Sequence, residues 1–174
     1  AAREAEVLSD LMAARADRDC KRPSVETLLH NLFPQKYVLH VHPTKVNALT
    51  CSVNGKETAA KLFPDAVWVD ECEPGYILAS HCRKNLADAK AKSGKDANVV
   101  ILQNHGIFFA ADDENALDAL VESVMTKLDS QLKVQPDFTD VEQYDSETAA
   151  TIAPVLRLLY NENRTAYVTF NVNK

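Results

Sequence analysis

Two apolar runs, Asn98 to Gln103 and Ile107 to Ala111, constrain this chain more than anything else in it. Val, Ile and Phe favour strands. A strand that is apolar at consecutive positions, rather than at alternate ones, has to be covered on both faces. Between the runs Asn104-His105-Gly106 breaks the pattern. That break sets an imidazole at a strand end, where sites are commonly assembled on open sheets.

A sheet covered on both faces needs helices, and the sequence supplies them. Val7, Leu8, Leu11 and Met12 recur at helical spacing from Ala2 to Asp17. Ser24 stands where an N-cap belongs, ahead of a helix to about Leu32. Pro43, at a first helical position, starts a helix to Thr50, and Gly55 to Leu62 forms another, closed by Pro64. Pro74-Gly75 opens a long helix to about Lys92. Asp112 or Asp113 caps one to about Leu132, with Leu117, Leu120, Val121 and Val124 inward. Ser146 caps a last helix to about Asn161, interrupted or restarted at Pro154. Further strands are expected at Lys36 to His42, Ala66 to Asp70 and Thr165 to Asn171, with an acidic linker from Val134 to Asp145. Mixed elements with buried strands predict an α/β chain folded as a three-layer α/β/α sandwich, a single domain over residues 1 to 174.

The strand that ends in His40-Val41-His42-Pro43 carries the first chemical signal. Side chains two apart on a strand share a face, so His40 and His42 present their imidazoles side by side. That is half of a metal site, and a catalytic divalent ion wants a third protein ligand plus an open position. His105, at the break between the two apolar runs, is the candidate. Spacing alone leaves a structural role open for each of these imidazoles. Glu26, in the first turn of its helix, reads equally as a solvated carboxylate near the positive end of the macrodipole. His30 and His81 read as structural.

Composition narrows the classes. A net charge of −6 gives no basic footprint for nucleic acid. No apolar run approaches a membrane span, and the opening Ala1-Ala2-Arg3-Glu4 is not a signal peptide. The four cysteines, Cys20, Cys51, Cys72 and Cys82, have no C-x-x-C spacing and sit in apolar segments, which reads as reduced intracellular thiols in a cytoplasmic protein. The four glycines form neither G-x-G-x-x-G nor a Walker loop. The chain opens on Ala and runs directly into a helical pattern, so a part excised from a longer protein is expected.

Four motifs, in order, carry a resemblance: Pro-Ser-x-Glu at Pro23 to Glu26, His-x-His-Pro at His40 to Pro43, Pro-Gly at Pro74-Gly75 after a strand, and Gln-Asn-His-Gly with its following β run at Gln103 to Ala111. From about Pro23 to Leu128 the chain resembles class II aldolase/adducin domains, the family of fuculose- and rhamnulose-phosphate aldolases and of ribulose-phosphate 4-epimerase. The wording Arg-Pro-Ser-Val-Glu-Thr-Leu-Leu-His looks most like the long members, in which an aldolase part precedes a short-chain dehydrogenase part.

The resemblance implies a central, mostly antiparallel sheet, with His40, His42 and His105 as ligands of zinc or another divalent metal. It implies Glu26 as general base and as a fourth ligand when substrate is absent, with Ser24 and Asn104 binding the substrate. Retro-aldol cleavage of a ketose 1-phosphate follows, since a divalent ion stabilises the negative charge left by breaking a bond beside a carbonyl. A sugar-phosphate 4-epimerase and a non-catalytic adducin-like binding module are the alternatives. The implied partners are a small phosphorylated sugar and further copies of the chain, as a tetramer in the family. Its proton-donor tyrosine comes late in the chain, where Tyr144, Tyr160 and Tyr167 are all available. The family's phosphate-binding turn has no counterpart ahead of Pro23, and the short gap from Glu26 to His40 fits the long members.

Overall fold

In the computed structural model, residues 2–134, 145–160 and 168 are described. The chain divides into two compact units, Ala1–Leu132 and Lys133–Lys174.

The first unit is built on a four-stranded sheet in the order β1-β4-β3-β2. These strands are β1 (Tyr37–Val41), β2 (Val67–Val69), β3 (Val99–Leu102) and β4 (Gly106–Ala111). β4 pairs antiparallel with both β1 and β3, and β2 lies parallel to β3, so the sheet is mostly antiparallel as expected. Every residue of β3 and β4 is buried, which is what their continuous apolar sequences require.

Helices cover the two faces. On one, Val46 and Leu49 of α3 (Thr44–Thr50), Ala59 of α4 (Gly55–Leu62) and Val124 and Leu128 of α6 (Glu114–Asp129) pack on Ile101, Ile107 and Phe109. Leu117, Leu120 and Val121 join that face partly buried. On the other, Leu29 of α2 (Thr27–His30) and Leu78, Ala79 and Cys82 of α5 (Tyr76–Ser93) pack on Val69, Val100, Leu102 and Phe108. The result is an α/β/α sandwich. α1 (Ala2–Ala13) reaches α5 through Glu4, whose carboxylate accepts the backbone N–H of Tyr76 at 2.8 Å and so caps α5.

Several local expectations shift. α1 stops at Ala13, because the polar segment after it turns instead. Ser24 does not cap the helix directly: its Oγ accepts the Glu26 N–H at 3.1 Å in a turn ahead of it, and α2 is a single turn to His30 whose backbone bonding continues to Leu32, where its end was expected. Pro43 precedes α3 with an extended ψ of 140° and accepts from Asn47 rather than being the first helical residue. Asp113 is the residue that caps α6, accepting from Ala116 N–H. Among the cysteines, all free, Cys82 is buried, whereas Cys20 and Cys51 are exposed rather than set in apolar surroundings.

In the second unit α7 (Ser146–Tyr160) runs through Pro154 without restarting, although the proline removes one helical hydrogen bond. Its cap is Asp145, not Ser146, since the Asp145 carboxylate accepts from the Glu147 and Thr148 backbone N–H groups. The expected strand from Thr165 to Asn171 and most of the acidic linker lie outside the described residues. Among the described residues no helix is long and apolar enough to cross a membrane.

Candidate metal centre

The site forms at the end of the sheet where β1 finishes and β4 begins. In their antiparallel pairing Val41 lies opposite Ile107 and His40 opposite Phe108. The turn from β3 to β4 therefore comes back beside the end of β1, carrying His105 to the histidines of the first strand. Glu26, immediately ahead of α2, closes the group from the helical layer. Among the described residues, Glu26, His40, His42 and His105 form one cluster whose potential ligand atoms all lie within 4.8 Å of one another.

His40 is the anchor. Its side chain is only 5% exposed, and its ring stacks on Phe108 with centroids 4.0 Å apart and planes inclined by 15°. Its Nδ1–H donates to the Ile107 carbonyl at 3.0 Å, which leaves the Nε2 lone pair pointing into the cluster. There it meets His42 Nε2 at 2.8 Å and Glu26 Oε1 at 3.4 Å. His105 Nε2 lies 3.7 Å from the same carboxylate oxygen. Burial, the largest effect on both, holds His40 and His105 below the ordinary imidazole range, and both are neutral, lone-pair-bearing donors at neutral pH. His42 is exposed and Glu26 is partly so, which leaves the cluster open to solvent on their side.

Two backbone features hold the histidines. Gly106 lies under the His42 ring: a Cβ there would come within 2.3 Å of His42 Cδ2 and 2.7 Å of the Val41 carbonyl oxygen. Asn104 adopts φ 55°, the left-handed region that asparagine tolerates better than most residues, and this turns the chain so that His105 follows. Three imidazoles and a carboxylate are a donor set that suits zinc and similar divalent ions, and the gap that only glycine leaves keeps room for the His42 ring beside its neighbours.

The other sequence-derived positions fall as follows. Ser24 is exposed and bonds to the backbone of Glu26. Asn104 is exposed, and its side-chain N–H donates to Glu71 Oε2 at 2.7 Å. Tyr160 ends α7, while Tyr144 and Tyr167 lie outside the described residues. His30 packs edge-on against Phe108, as a structural residue would, and His81 is exposed on α5. Sequence reasoning missed Glu71, the Ile107 carbonyl and the Phe108 ring. Only Phe108 left a signal, as one of the aromatic residues in the run after the Asn-His-Gly break.

An uncharacterized oxidoreductase, YuxG, of Bacillus subtilis (strain 168) is 34% identical over 103 residues, 59% of this chain. The chain spans only 14% of that relative's length. The N-terminal class II aldolase domain of a conserved protein from Thermoplasma acidophilum superposes with a TM-score of 0.61 at 20% identity, covering 73% of this chain and 56% of that one. An L-fuculose 1-phosphate aldolase is a more distant structural neighbour, with a TM-score of 0.42 at 18% identity over 79% of this chain and 66% of its own. The family model for the class II aldolase and adducin N-terminal domain matches residues 3–127, which is most of the chain and takes in all four residues of the cluster; the chain belongs to that family.

Proposed function

We propose that this domain is a zinc-dependent aldehyde-lyase that cleaves a phosphorylated ketose such as rhamnulose or fuculose 1-phosphate to dihydroxyacetone phosphate and an aldehyde. One observation carries the reading: three imidazoles and one carboxylate converge at the mouth of the sheet, with the most buried imidazole oriented by a backbone carbonyl so that its free nitrogen faces the others. An adducin-like scaffold has no use for that orientation.

His40, His42 and His105 would hold the ion. When bound, it would supply Lewis-acid stabilisation of the negative charge that develops beside the ketone. His40 fixes the site because its ring is packed on Phe108 and tied to Ile107. Glu26, with its carboxylate oxygen 3.4 Å from His40 Nε2 and open to solvent, is the group to shuttle the proton between substrate and water. Exposed Ser24 and Asn104, two residues before Glu26 and one before His105, are assigned to the substrate's polar groups. Because the uncharacterized B. subtilis oxidoreductase is several times longer, we read this domain as the lyase portion of a two-part protein; a cytoplasmic homo-oligomer is the assembly we propose for it.

The test is elemental analysis of the purified chain beside His40→Ala and His105→Ala, followed by assay for dihydroxyacetone phosphate released from ketose 1-phosphates. The expected result is about one zinc per chain, lost in both variants. A wild-type chain that takes up no divalent ion after incubation with zinc would end the lyase reading in favour of a binding module.

A further inference from the structure

Glu71 immediately follows the end of β2 and the short link through Asp70, outside every motif that identifies the family. It is joined twice to the turn that carries His105. Its backbone N–H donates to Gln103 Oε1 at 3.1 Å, and its carboxylate Oε2 accepts from Asn104 Nδ2 at 2.7 Å. The two contacts engage adjacent residues of the turn, one through the Glu71 main chain and one through its side chain, so the turn cannot rotate about either alone.

The rest of the turn is held from the sheet and from α3. Gln103 N–H donates to the Val69 carbonyl at 3.0 Å, extending the β2–β3 pairing by one residue, and Asn104 N–H donates to the Thr50 carbonyl at 3.3 Å. Asn104 is the only non-glycine residue with positive φ among the described residues. That conformation is disfavoured for an L-residue unless the surroundings hold it. Here the hydrogen bond from its side chain to Glu71 Oε2 holds it on the solvent side. His105 is the next residue, and its own N–H makes only a 3.3 Å bond to Leu102 within the turn.

We infer that Glu71 is a positioning residue of the metal centre: through Asn104 and Gln103 it fixes the direction in which His105 presents its imidazole. This rests on the metal-binding reading above. Neighbours that orient ligands through hydrogen bonds typically change metal affinity by 10–100-fold when removed, and Glu71 acts one residue further back, through the backbone of the ligand itself.

Cobalt(II) is the probe, because its visible absorption reports ligand geometry as well as occupancy. The full chain, Glu71→Ala, Glu71→Gln and Asn104→Gly are each titrated against a competing chelator, and thermal unfolding of the metal-free proteins is recorded alongside. Glu71→Ala is expected to weaken cobalt binding about tenfold and alter the visible band, with unfolding little changed. Glu71→Gln keeps an acceptor for Asn104 Nδ2 and is expected to bind close to wild type, which an effect of negative charge alone would not allow. Asn104→Gly, which adopts the same φ without the side-chain bond, is expected to match Glu71→Ala, and it carries the test if Glu71→Ala does not fold. Wild-type affinity and spectrum in both Glu71→Ala and Asn104→Gly would overturn the inference, as would equal losses in Glu71→Ala and Glu71→Gln. If the wild-type chain itself binds no cobalt, the metal reading and this inference fall together.

Discussion

His40 donates its Nδ1 proton to the carbonyl of Ile107, the residue directly after the glycine that supports the His42 ring. One strand of the sheet therefore fixes the tautomer of a histidine on its neighbour. With Nδ1 protonated, His40 Nε2 is an acceptor, and the His42 nitrogen 2.8 Å away must be its donor in the metal-free chain. Nitrogen-15 NMR at neutral pH is expected to find His40 in the Nδ1–H form and His42 in the Nε2–H form. Adding zinc should leave His40 unchanged and move His42 to Nδ1–H. An Nε2–H tautomer at His40 without metal would refute the assignment.

Gly106 is required by space rather than by backbone angle. A methyl group there would have to displace the His42 ring or the Val41 carbonyl, both closer than real contacts permit. Overpacking of this kind costs about 1–3 kcal/mol. Gly106→Ala is expected to lose that much stability in urea unfolding and most of its metal affinity. Wild-type zinc binding in this variant would mean that the His42 ring has another place to go.

How far the site was legible follows from its separations along the chain. His40 and His42 are two residues apart on one strand, so a period of two was enough to pair them. His105 was reachable because a break between two buried strands marks the end of a sheet. Glu26 stood out only through the Pro-Ser-x-Glu motif, since a carboxylate beside a short helix is otherwise unremarkable. Glu71 could not be found this way: its bonds to Gln103 and Asn104 span 32 and 33 residues, and they exist because β2 and β3 are parallel neighbours that finish at the same edge. The layers were legible because β3 and β4 are apolar throughout. Helix ends were less so, because side-chain caps at Ser24 and Ser146 competed with equally good turns next to them.

The thiols should separate by burial. Cys82, on α5 against the sheet, is 2% exposed, and burial pushes its pKa up to about 12. Cys20 and Cys51 are exposed. With a thiol-reactive chromophore at pH 8, Cys20 and Cys51 are expected to react rapidly in the folded chain and Cys82 only after denaturation. Rapid labelling of Cys82 in the native protein, located by peptide mapping, would show that α5 opens from the sheet.

Phe108 links the core to the site, being buried under α5 while stacked on the His40 ring. Phe108→Ala should cost about 3–5 kcal/mol, as removal of a buried aromatic side chain does, and weaken zinc binding by freeing the His40 ring. Phe108→Leu keeps most of the volume but not the stacking face, and is expected to lose less stability than Phe108→Ala. Chelator competition beside urea unfolding separates the two effects; zinc affinity that simply followed stability across both variants would mean the stacked ring adds nothing specific.

Acid should destabilise the metal-free chain through the same histidines. Burial lowers the folded-state pKa of both His40 and His105 below the ordinary value of 6.5. Below pH 6.5 the unfolded chain therefore binds protons that the folded cluster resists, and stability falls as pH is lowered from 6.5 through the depressed folded-state values. The carboxylate of Glu26 partly opposes this, because it favours the protonated form of both rings, so the loss is smaller than burial alone would produce. Urea unfolding of the metal-free wild type at pH 7.5 and pH 5.5, repeated with Glu26→Gln, is the check. The wild type is expected to be less stable at pH 5.5, and Glu26→Gln to lose more over the same interval because its histidines have no carboxylate beside them. Equal losses in the two proteins would mean that the carboxylate does not face these rings in solution.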